Sequence, residues 1–321
     1  MTGPGLQVVT GAFGFSGSYI AARLLKAGFR VRTLTNSPER ASPLRSRIEV
    51  RSYDFDDPAK LTASLEGVET LFNTYWVRFD FEDFTHAQAV QNTKTLFGCA
   101  QDAGVRRVVH ISITNPDRNS ALPYFAGKAE LEIALRHSGL SHAILRPAVL
   151  FGEEDILIHN IAWMLRRFPV FGVFGDGRYE IQPIHVDDLA GLAVEYARES
   201  EDVTVNAIGP ETFTFRQLVR EVGEAIGCPR PIFGIPPGLG FLAARVVGWF
   251  KGDVLLTREE IAGLMESRLA VDSAPTGTTS LRAWMREHAD TLGRRYSSEL
   301  ARRRNRRESY QSLRGGDMMG S

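Results

Sequence analysis

Short apolar runs alternate with segments of helical spacing through the first half of the chain. The run Leu6–Thr10 ends at a glycine cluster and predicts a buried strand, whereas residues 15–27 repeat their apolar positions at helical spacing and stop at Gly28. The same alternation predicts five more strands, at residues 29–35, 48–53, 70–74, 105–112 and 141–145. It predicts helices between them, near residue 38 and at residues 59–65, 84–103 and 128–137. Strands that alternate with helices over short loops indicate an α/β fold with a doubly wound parallel sheet.

The alternation of strand and helix patterns becomes irregular after Pro147, where prolines and glycines become frequent. We therefore expect residues 1–152 to form the sheet domain, with residues 178–208 returning to it. Residues 153–293 are expected to form mostly a smaller substrate lobe over the carboxyl ends of the strands. Residues 294–321 are predicted to be a basic, flexible tail.

One apolar stretch, Leu239–Phe250, does not fit the alternation of strands and helices. It contains Arg245 and falls short of the about 20 residues that a membrane-spanning helix needs. No membrane span is predicted. The stretch either caps a pocket or forms a hydrophobic contact surface, and the sequence leaves both alternatives open.

Composition narrows the class of protein. Lys+Arg and Asp+Glu are 38 each, which argues against a surface coated for nucleic acid. The two cysteines, Cys99 and Cys228, cannot form a disulfide framework, and the N-terminus has no signal-like run, so we expect a cytoplasmic protein.

The charges are distributed unevenly along the chain. Residues 294–321 carry eight basic and three acidic groups, a net charge of +5, so that the remaining residues carry −5. Residues 294–314 could therefore contact an acidic partner, or form a solvated helix that frays.

The glycines after the first strand carry the strongest chemical signal. Gly11, Gly14 and Gly17 stand between a predicted strand and a predicted helix. In that setting the first glycine permits a tight turn and the second lets a pyrophosphate approach the backbone. The third lets the helix pack closely on the strand. The N–H groups at the start of the helix would then hold the phosphate charge.

Four further motifs accompany this turn. They are Tyr53-Asp54-Phe55-Asp56, Tyr124-Phe-Ala-Gly-Lys128, Arg146-Pro147-Ala-Val-Leu-Phe-Gly152 and Ile184-His185-Val186-Asp187-Asp188-Leu-Ala190. Together with Thr10-Gly-Ala-Phe-Gly-Phe-Ser-Gly17 they resemble the extended and atypical short-chain dehydrogenase/reductase superfamily over about residues 5–225. The resemblance is closest to its NmrA-like and complex I accessory-subunit-like branch, which is close to the NAD-dependent epimerases and dehydratases.

The resemblance implies a Rossmann-type fold that binds NAD(P), with Asp54 and Phe55 at the adenine and Lys128 at the nicotinamide ribose. The cofactor-binding residues that it implies are Gly11, Ala12, Phe13, Gly14, Phe15, Ser16, Gly17, Thr35, Asn36, Ser37, Arg40, Asp54, Phe55, Asn73, Thr74, Tyr75, Lys128, Pro147 and Val149. The segment Thr35–Ser37 offers no carboxylate for the ribose of NAD. Since Arg32 or Arg40 could reach a 2′-phosphate, NADP is favoured, with NAD as the alternative.

The candidate reaction centre is a Tyr/Lys pair. Tyr124 and Lys128 share a helix face, and a nearby ammonium lowers the pKa of a phenol so that it can transfer a proton near neutral pH. The resemblance places a hydroxyl from Thr114 or Ser112 at the substrate oxygen. Trp76, Arg78 and Phe79 follow the fourth strand, where ligands bind in open sheets, and either line a substrate pocket or simply pack. No metal site is predicted.

Three functions remain open. The first is an NAD(P)-dependent oxidoreductase that transfers a hydride to or from a carbonyl or alcohol carbon of a small molecule. The second is a non-catalytic NAD(P)H-binding sensor or structural subunit, and the third is an epimerase or dehydratase with a tightly held cofactor. An oligomer is compatible with each of them.

Overall fold

The computed structural model describes residues 5–82 and 84–313. The strands, in chain order, are β1 (Leu6–Thr10), β2 (Arg30–Leu34), β3 (Glu49–Arg51), β4 (Val68–Asn73), β5 (Arg107–Ile111), β6 (Ser141–Pro147), β7 (Val149–Phe151), β8 (Phe171–Phe174), β9 (Glu180–Ile181), β10 (Pro183–His185), β11 (Val203–Ala207), β12 (Phe213–Thr214) and β13 (Ile232–Ile235). The helices are α1 (Phe15–Lys26), α2 (Pro58–Ala63), α3 (His86–Asp102), α4 (Pro123–His137), α5 (Leu157–Arg167), α6 (Val186–Tyr196), α7 (Phe215–Ala225), α8 (Pro237–Lys251), α9 (Arg258–Met265), α10 (Leu281–Glu287) and α11 (Glu299–Arg304).

The chain divides into two compact units. The first comprises the residues up to Pro147 together with Val186–Ala207, and the second comprises Ala148–His185 and the residues from Ile208 onward. Within the described ranges, no helix is both long and apolar enough to cross a membrane.

The first unit is built on a seven-stranded parallel sheet in the order β11-β6-β5-β4-β1-β2-β3. On one face, apolar side chains of α2, α3 and α4 pack on alternate residues of the strands, such as Val8, Leu71 and Val108. Helices α1 and α6 pack against each other and contact β1, β2 and β6. Helices therefore flank the parallel sheet, and the predicted Rossmann-type α/β fold is confirmed.

The second unit contains three two-stranded sheets. They pair β7 with β10, β8 with β13 and β9 with β12. Its core is formed mainly by apolar residues of α5, α7 and α10, and α7 and α9 each begin with a capping box, at Thr214 and Thr257.

Two segments differ from the sequence-based expectations. The helix expected near Pro38 is absent, because turns lead from β2 to a single 3-10 turn at Arg45–Arg47. The expected tail is folded where it is described: Tyr296 and Leu300 are buried, and α11 lies within this stretch. The apolar side chains among its arginines anchor it. Residues 314–321, the rest of the predicted tail, lie outside the described residues.

Candidate functional site

The glycine turn between β1 and α1 has the geometry of a dinucleotide phosphate cradle. Gly11 has a φ of 68°, which favours glycine, and its N–H donates to the Leu34 carbonyl at 2.8 Å. A Cβ added to Gly17 would lie 2.3 Å from the carbonyl oxygen of Gly11. Only glycine at position 17 therefore lets the start of α1 lie this close to the turn.

The N-terminus of α1 is suited to hold an anion. The N-cap residue of α1 is Gly14, which has no side chain, and no side-chain hydrogen bond caps the helix. The first turn of α1 contains no acidic residue. The N–H groups and the helix dipole of such a terminus attract phosphate. The other predicted residues of the turn serve as its support: Ala12 and Phe13 are buried, and the Ala12 N–H donates to Thr33 Oγ1 at 3.0 Å. The residues present fit the phosphates of a dinucleotide.

Residues 35–37, which follow β2, carry no acidic side chain, and the first acid after this strand is Glu39. The Ser37 N–H donates to Thr35 Oγ1 at 3.0 Å, and Asn36 is exposed. Arg40 is buried, and its N–H donates to the Ser37 carbonyl at 3.1 Å. Arg40 thus belongs to the turn that would face a 2′-phosphate.

Arg32, the other arginine considered for that phosphate, is committed elsewhere. Its Nε lies 3.0 Å from a carboxylate oxygen of Glu49, and its Nη1 donates to the Ser64 carbonyl at 2.7 Å. These contacts hold Arg32 against β3 and the end of α2.

Aromatic rings gather beside the expected adenine position. Phe55 stacks on Tyr53 with a centroid distance of 5.0 Å, and Tyr75 lies 5.3 Å from both rings. Asp54 pairs with Lys60 at 2.6 Å. Two predicted cofactor residues from different loops, Phe55 and Tyr75, are therefore in contact.

Polar contacts fasten the end of β4 to the glycine turn. The Thr74 hydroxyl donates to the Thr10 carbonyl at 2.5 Å, and the Thr74 N–H donates to Thr10 Oγ1 at 2.7 Å. Asn73 Oδ1 accepts the Tyr75 N–H at 3.1 Å, and Asn73 Nδ2 lies 3.1 Å from Nδ1 of the buried His110. The predicted cofactor residues Asn73, Thr74 and Tyr75 hold this edge of the sheet together.

Helix α4 carries the candidate proton-transfer pair on its inner face. Lys128 is 3 % exposed, its Nζ donates to the Ile111 carbonyl at 2.7 Å, and it lies 4.4 Å from the centre of the Trp76 ring. Burial lowers the pKa of Lys128 to about 7, although the carboxylate of Glu132 acts against this shift. The lysine can therefore gain or lose its charge near neutral pH.

Tyr124 lies one turn before Lys128, among aromatic rings. Its ring centre is 5.6 Å from that of Trp76 and 5.8 Å from that of His86, both edge to face. A Cβ on Gly127 would lie 2.8 Å from the Trp76 ring, so glycine makes room for this contact. The structure brings Tyr124, Lys128 and Trp76 together.

The two hydroxyl candidates differ in their surroundings. The Ser112 hydroxyl donates to Glu132 Oε1 at 2.6 Å, and the same buried carboxylate binds Arg146 at 2.5 and 2.9 Å and Arg136 at 3.0 Å. Burial acts to raise the pKa of Glu132, but hydrogen bonds from Arg146 and Ser112 outweigh it and hold the pKa below its ordinary value. Ser112 is thus part of a structural ionic cluster.

The remaining predicted site residues lie in mixed environments. Thr114 is buried, and its N–H donates to the carbonyl of Pro147 at 3.0 Å. Arg78 lies 5.6 Å from the ring centre of Phe79, which is itself buried. Val149 belongs to β7 of the second unit.

His86 is a residue of this site that the sequence did not predict. This first residue of α3 is buried, and its Nδ1 lies 2.7 Å from Oδ1 of Asp80, which also accepts the His86 N–H at 2.7 Å. Among the described residues, neither His86 Nε2 nor Trp76 Nε1 has a hydrogen-bond partner. The capping residue Thr85, whose hydroxyl accepts the Gln88 N–H, was the sequence signal that α3 begins here.

Asp187, from the motif that also contains His185 and Asp188, has a structural role. Asp187 lies at the start of α6 and forms a two-pronged ion pair with Arg23 of α1, at 2.7 and 2.8 Å. In the described part of the chain, no group of three or more His, Cys, Asp or Glu side chains could hold a metal ion.

Comparison with known proteins gives the same assignment as the turn. Residues 11–160 match the family model described as NAD(P)H-binding. A mitochondrial NADH dehydrogenase [ubiquinone] 1 alpha subcomplex subunit 9 of Arabidopsis thaliana is 26 % identical, over 84 % of this chain and 72 % of that protein. A ceramide reductase of Caulobacter vibrioides is 24 % identical, over 82 % and 83 %.

Solved structures share the fold. The NADPH-dependent quinone oxidoreductase of Escherichia coli, solved with NADPH, superposes with a TM-score of 0.72 at 23 % identity, covering 89 % of this chain and 99 % of that one.

Proposed function

Because residues 11–160 match the NAD(P)H-binding family model, we propose that this chain is an NADPH-dependent reductase of the short-chain dehydrogenase/reductase type. Its reaction would convert a carbonyl group of a small molecule into an alcohol. The observation that carries the proposal is the placement of Tyr124 and Lys128 on one face of α4, with the lysine buried and its pKa lowered to about 7.

Different residues of the chain would bind different parts of the cofactor. The glycine turn and the N-terminus of α1 would hold the pyrophosphate, and Asn36, Ser37 and Arg40 would hold the 2′-phosphate. Phe55 and Tyr75 would lie at the adenine. When bound, the nicotinamide supplies the hydride of the reaction.

The proton would come from Tyr124. Its phenol would donate to the carbonyl oxygen of the substrate, and the Lys128 ammonium would lower the phenol pKa by stabilising the phenolate. Thr114, which occupies the usual hydroxyl position in the resemblance to the extended family, would hold the carbonyl oxygen, and Ser112, whose hydroxyl donates to Glu132, would support it. Trp76 and His86, packed against the tyrosine, would exclude water.

The aromatic side chains indicate the substrate class. Trp76 and Tyr124, both partly exposed, offer apolar surface, which suits an apolar ketone or quinone better than a sugar. The names of two similar proteins support this choice, because one is a reductase of ceramide, a lipid, and the other is an oxidoreductase of quinones.

The test is NADPH oxidation against a panel of quinones and long-chain ketones. Tyr124→Phe should lower kcat by about 100-fold or more and leave the affinity for NADPH unchanged, because only the proton donor is lost. Unchanged turnover in this variant would remove the proposed role of Tyr124. At 100 times its dissociation constant NADPH should raise the free energy of unfolding by about 2.7 kcal/mol, and NADH should do so only at higher concentrations.

A second candidate function is a nucleotide-binding structural subunit. The hydrogen bond from Lys128 to the Ile111 carbonyl, beneath the Trp76 ring, supports it, because a lysine so engaged serves packing. The likeness to the plant complex I subunit favours the same alternative. Binding of NADPH without turnover of any compound in the panel would support this function over the reductase.

A further inference from the structure

Helix α8 of the second unit exposes large apolar side chains. Leu239, Leu242 and Trp249 are 62 %, 56 % and 77 % exposed. Their spacing of three and seven residues places them on one face of the helix, together with the exposed Arg245. We call these four residues the outer face of α8.

The opposite face of the same helix carries small residues. Gly240, Ala244 and Gly248 follow one another at intervals of four, and all three are buried. A Cβ on Gly240 would lie 2.5 Å from the Phe174 ring, and one on Gly248 would lie 2.6 Å from the carbonyl oxygen of Asp253.

A surface helix of a globular domain normally buries its large apolar residues and exposes its polar ones. Helix α8 departs from this pattern: Phe241 packs against the core of the unit, but Leu239, Leu242 and Trp249 face outward. Burial within its own unit therefore does not account for these side chains, and the arrangement marks an interaction surface.

The charge carried by the helix itself is positive. Residues 237–251 contain Arg245 and Lys251 and no acidic residue. The first acid after the helix, Asp253, accepts the Tyr296 hydroxyl at 2.8 Å and the Leu300 N–H at 2.9 Å.

The same contacts bring the arginine-rich C-terminal segment to the end of α8. Lys251 Nζ lies 5.2 Å from the centre of the Trp163 ring, which also packs 5.2 Å from Tyr296. Arg294 and Arg295, both exposed, immediately precede this tyrosine. A basic cluster thus borders the Trp249 end of the outer face.

We propose that the outer face of α8 docks on an anionic lipid bilayer. Leucines and a tryptophan on one face, with arginine and lysine beside them, are the composition of helices that lie in the membrane interface. The tryptophan and leucines enter the boundary between headgroups and acyl chains, and Arg245, Lys251, Arg294 and Arg295 contact the anionic headgroups.

A second copy of the chain fits this surface less well. Arg245 lies near the middle of the outer face, so a two-fold contact between two such helices would bring two arginines together. An anionic bilayer neutralises that charge instead. The proposal concerns the second unit and does not depend on the proposed reductase activity.

The experiment is flotation of the full chain, without NADPH, with vesicles of phosphatidylcholine alone or with 30 % phosphatidylglycerol. We expect binding to the anionic vesicles, at least tenfold weaker binding to the neutral ones, and weakening by salt. Leu239→Ser combined with Leu242→Ser, and separately Trp249→Ser, should each lower binding at least tenfold, since both remove apolar surface. Thermal melting of each variant should match the parent, because these side chains are exposed.

Charge variants separate the electrostatic contribution to membrane binding from the contribution of the apolar side chains. Arg245→Gln combined with Lys251→Gln should lower binding to anionic vesicles about fivefold, whereas Lys26→Gln, an exposed lysine of the first unit, should leave it unchanged. Brominated lipids should quench tryptophan fluorescence in the parent and not in Trp249→Phe.

Three outcomes would overturn the proposal. The first is flotation of the serine variants equal to that of the parent, and the second is no flotation with either vesicle. The third is a stable dimer in sedimentation that is lost in the Leu239→Ser, Leu242→Ser variant, which would make a second copy the occupant of the face.

Discussion

The glycine turn after β1 and the inner face of α4 belong to the same candidate site and are built in different ways. The turn is formed by backbone atoms of Gly11–Gly17, within seven consecutive residues. The face of α4 depends on two buried ionic side chains, Lys128 and Glu132, whose partners come from other elements.

This difference determines how each region responds to substitution. A binding site formed by backbone atoms is disrupted when an added side chain occupies space that close backbone contacts require to be empty. A buried ionic cluster fails when one partner loses its charge, because the other is then left buried without compensation. Substitutions in the two regions can therefore test whether the distinction holds.

The largest effect is expected at Glu132. Glu132→Gln leaves Arg146 without its ionic partner, and breaking a buried pair in this way costs about 3–5 kcal/mol of unfolding free energy. Urea denaturation at pH 7 measures it. Because the pKa of Glu132 is held below its ordinary value, its contribution is complete above that value and is lost as the pH falls through the folded-state pKa.

The control lies two residues earlier on the same helix. Glu130 pairs with Lys94 at the surface, with both side chains more than a third exposed, so that Glu130→Gln should cost at most about 1 kcal/mol. Equal losses in the two variants would contradict a special role for the buried cluster.

A smaller effect is expected in the glycine turn. Gly17→Ala places a Cβ against the Gly11 carbonyl, so the start of α1 must shift, at a cost of about 1–3 kcal/mol. NADPH affinity should fall at least tenfold because the phosphate cradle moves. Calorimetric titration with NADPH and urea denaturation measure the two effects.

Gly98→Ala is the matched control for this substitution. A Cβ there meets nothing within 4 Å, and the position lies inside α3, so alanine should raise the stability by about 0.5–1 kcal/mol. If Gly17→Ala instead gained stability as Gly98→Ala does, the start of α1 would not depend on the close contact.

The sequence was sufficient to predict the turn because its signal is local. β1 and the start of α1 lie where the apolar pattern placed them, and the glycines give the structure its tight turn. Helix α4 begins at Pro123, five residues before the predicted start, since a proline at the first helical position carries no apolar periodicity. Tyr124 and Lys128 were nevertheless correctly expected to share a helix.

The partners of the inner face could not be predicted, because they are brought there by the fold. Nothing in the sequence near Ser112 indicates that its hydroxyl donates a hydrogen bond to Glu132. Nothing there indicates that His86 lies against Tyr124 either. For the same reason, the apolar pattern of α8 could not show that Leu239, Leu242 and Trp249 face outward.

A pH-dependent effect of intermediate size is expected at Lys128. Its folded-state pKa is about 7 and its ordinary value is 10.5, so between these values the unfolded chain holds one proton more than the folded chain. Stability therefore rises with pH in this window, by at most about 1.4 kcal/mol per pH unit. Lys128→Met should abolish that rise, which urea denaturation at pH 7, 8 and 9 would reveal as a difference in slope.

Lys60→Met is the control for the pH series. Lys60 is exposed, and its pairing with Asp54 raises its pKa, so its removal should leave the slope between pH 7 and 9 unchanged. Parallel stability curves for Lys128→Met and the parent would mean that Lys128 is not desolvated in solution.

The smallest effect is expected at the aromatic border of the inner face. His86 packs against Tyr124 and is held by Asp80, so His86→Gln should let the tyrosine ring move and lower kcat for carbonyl reduction about tenfold, with NADPH affinity unchanged. Asp80→Asn should have a weaker effect of a few-fold, since Asp80 is half exposed and the amide oxygen can still accept the His86 N–H. The exposed His137 at the end of α4 provides the comparison, and His137→Gln should behave as the parent. If His86→Gln instead weakened NADPH binding and left kcat unchanged, His86 would belong with the glycine turn, as part of the cofactor cradle.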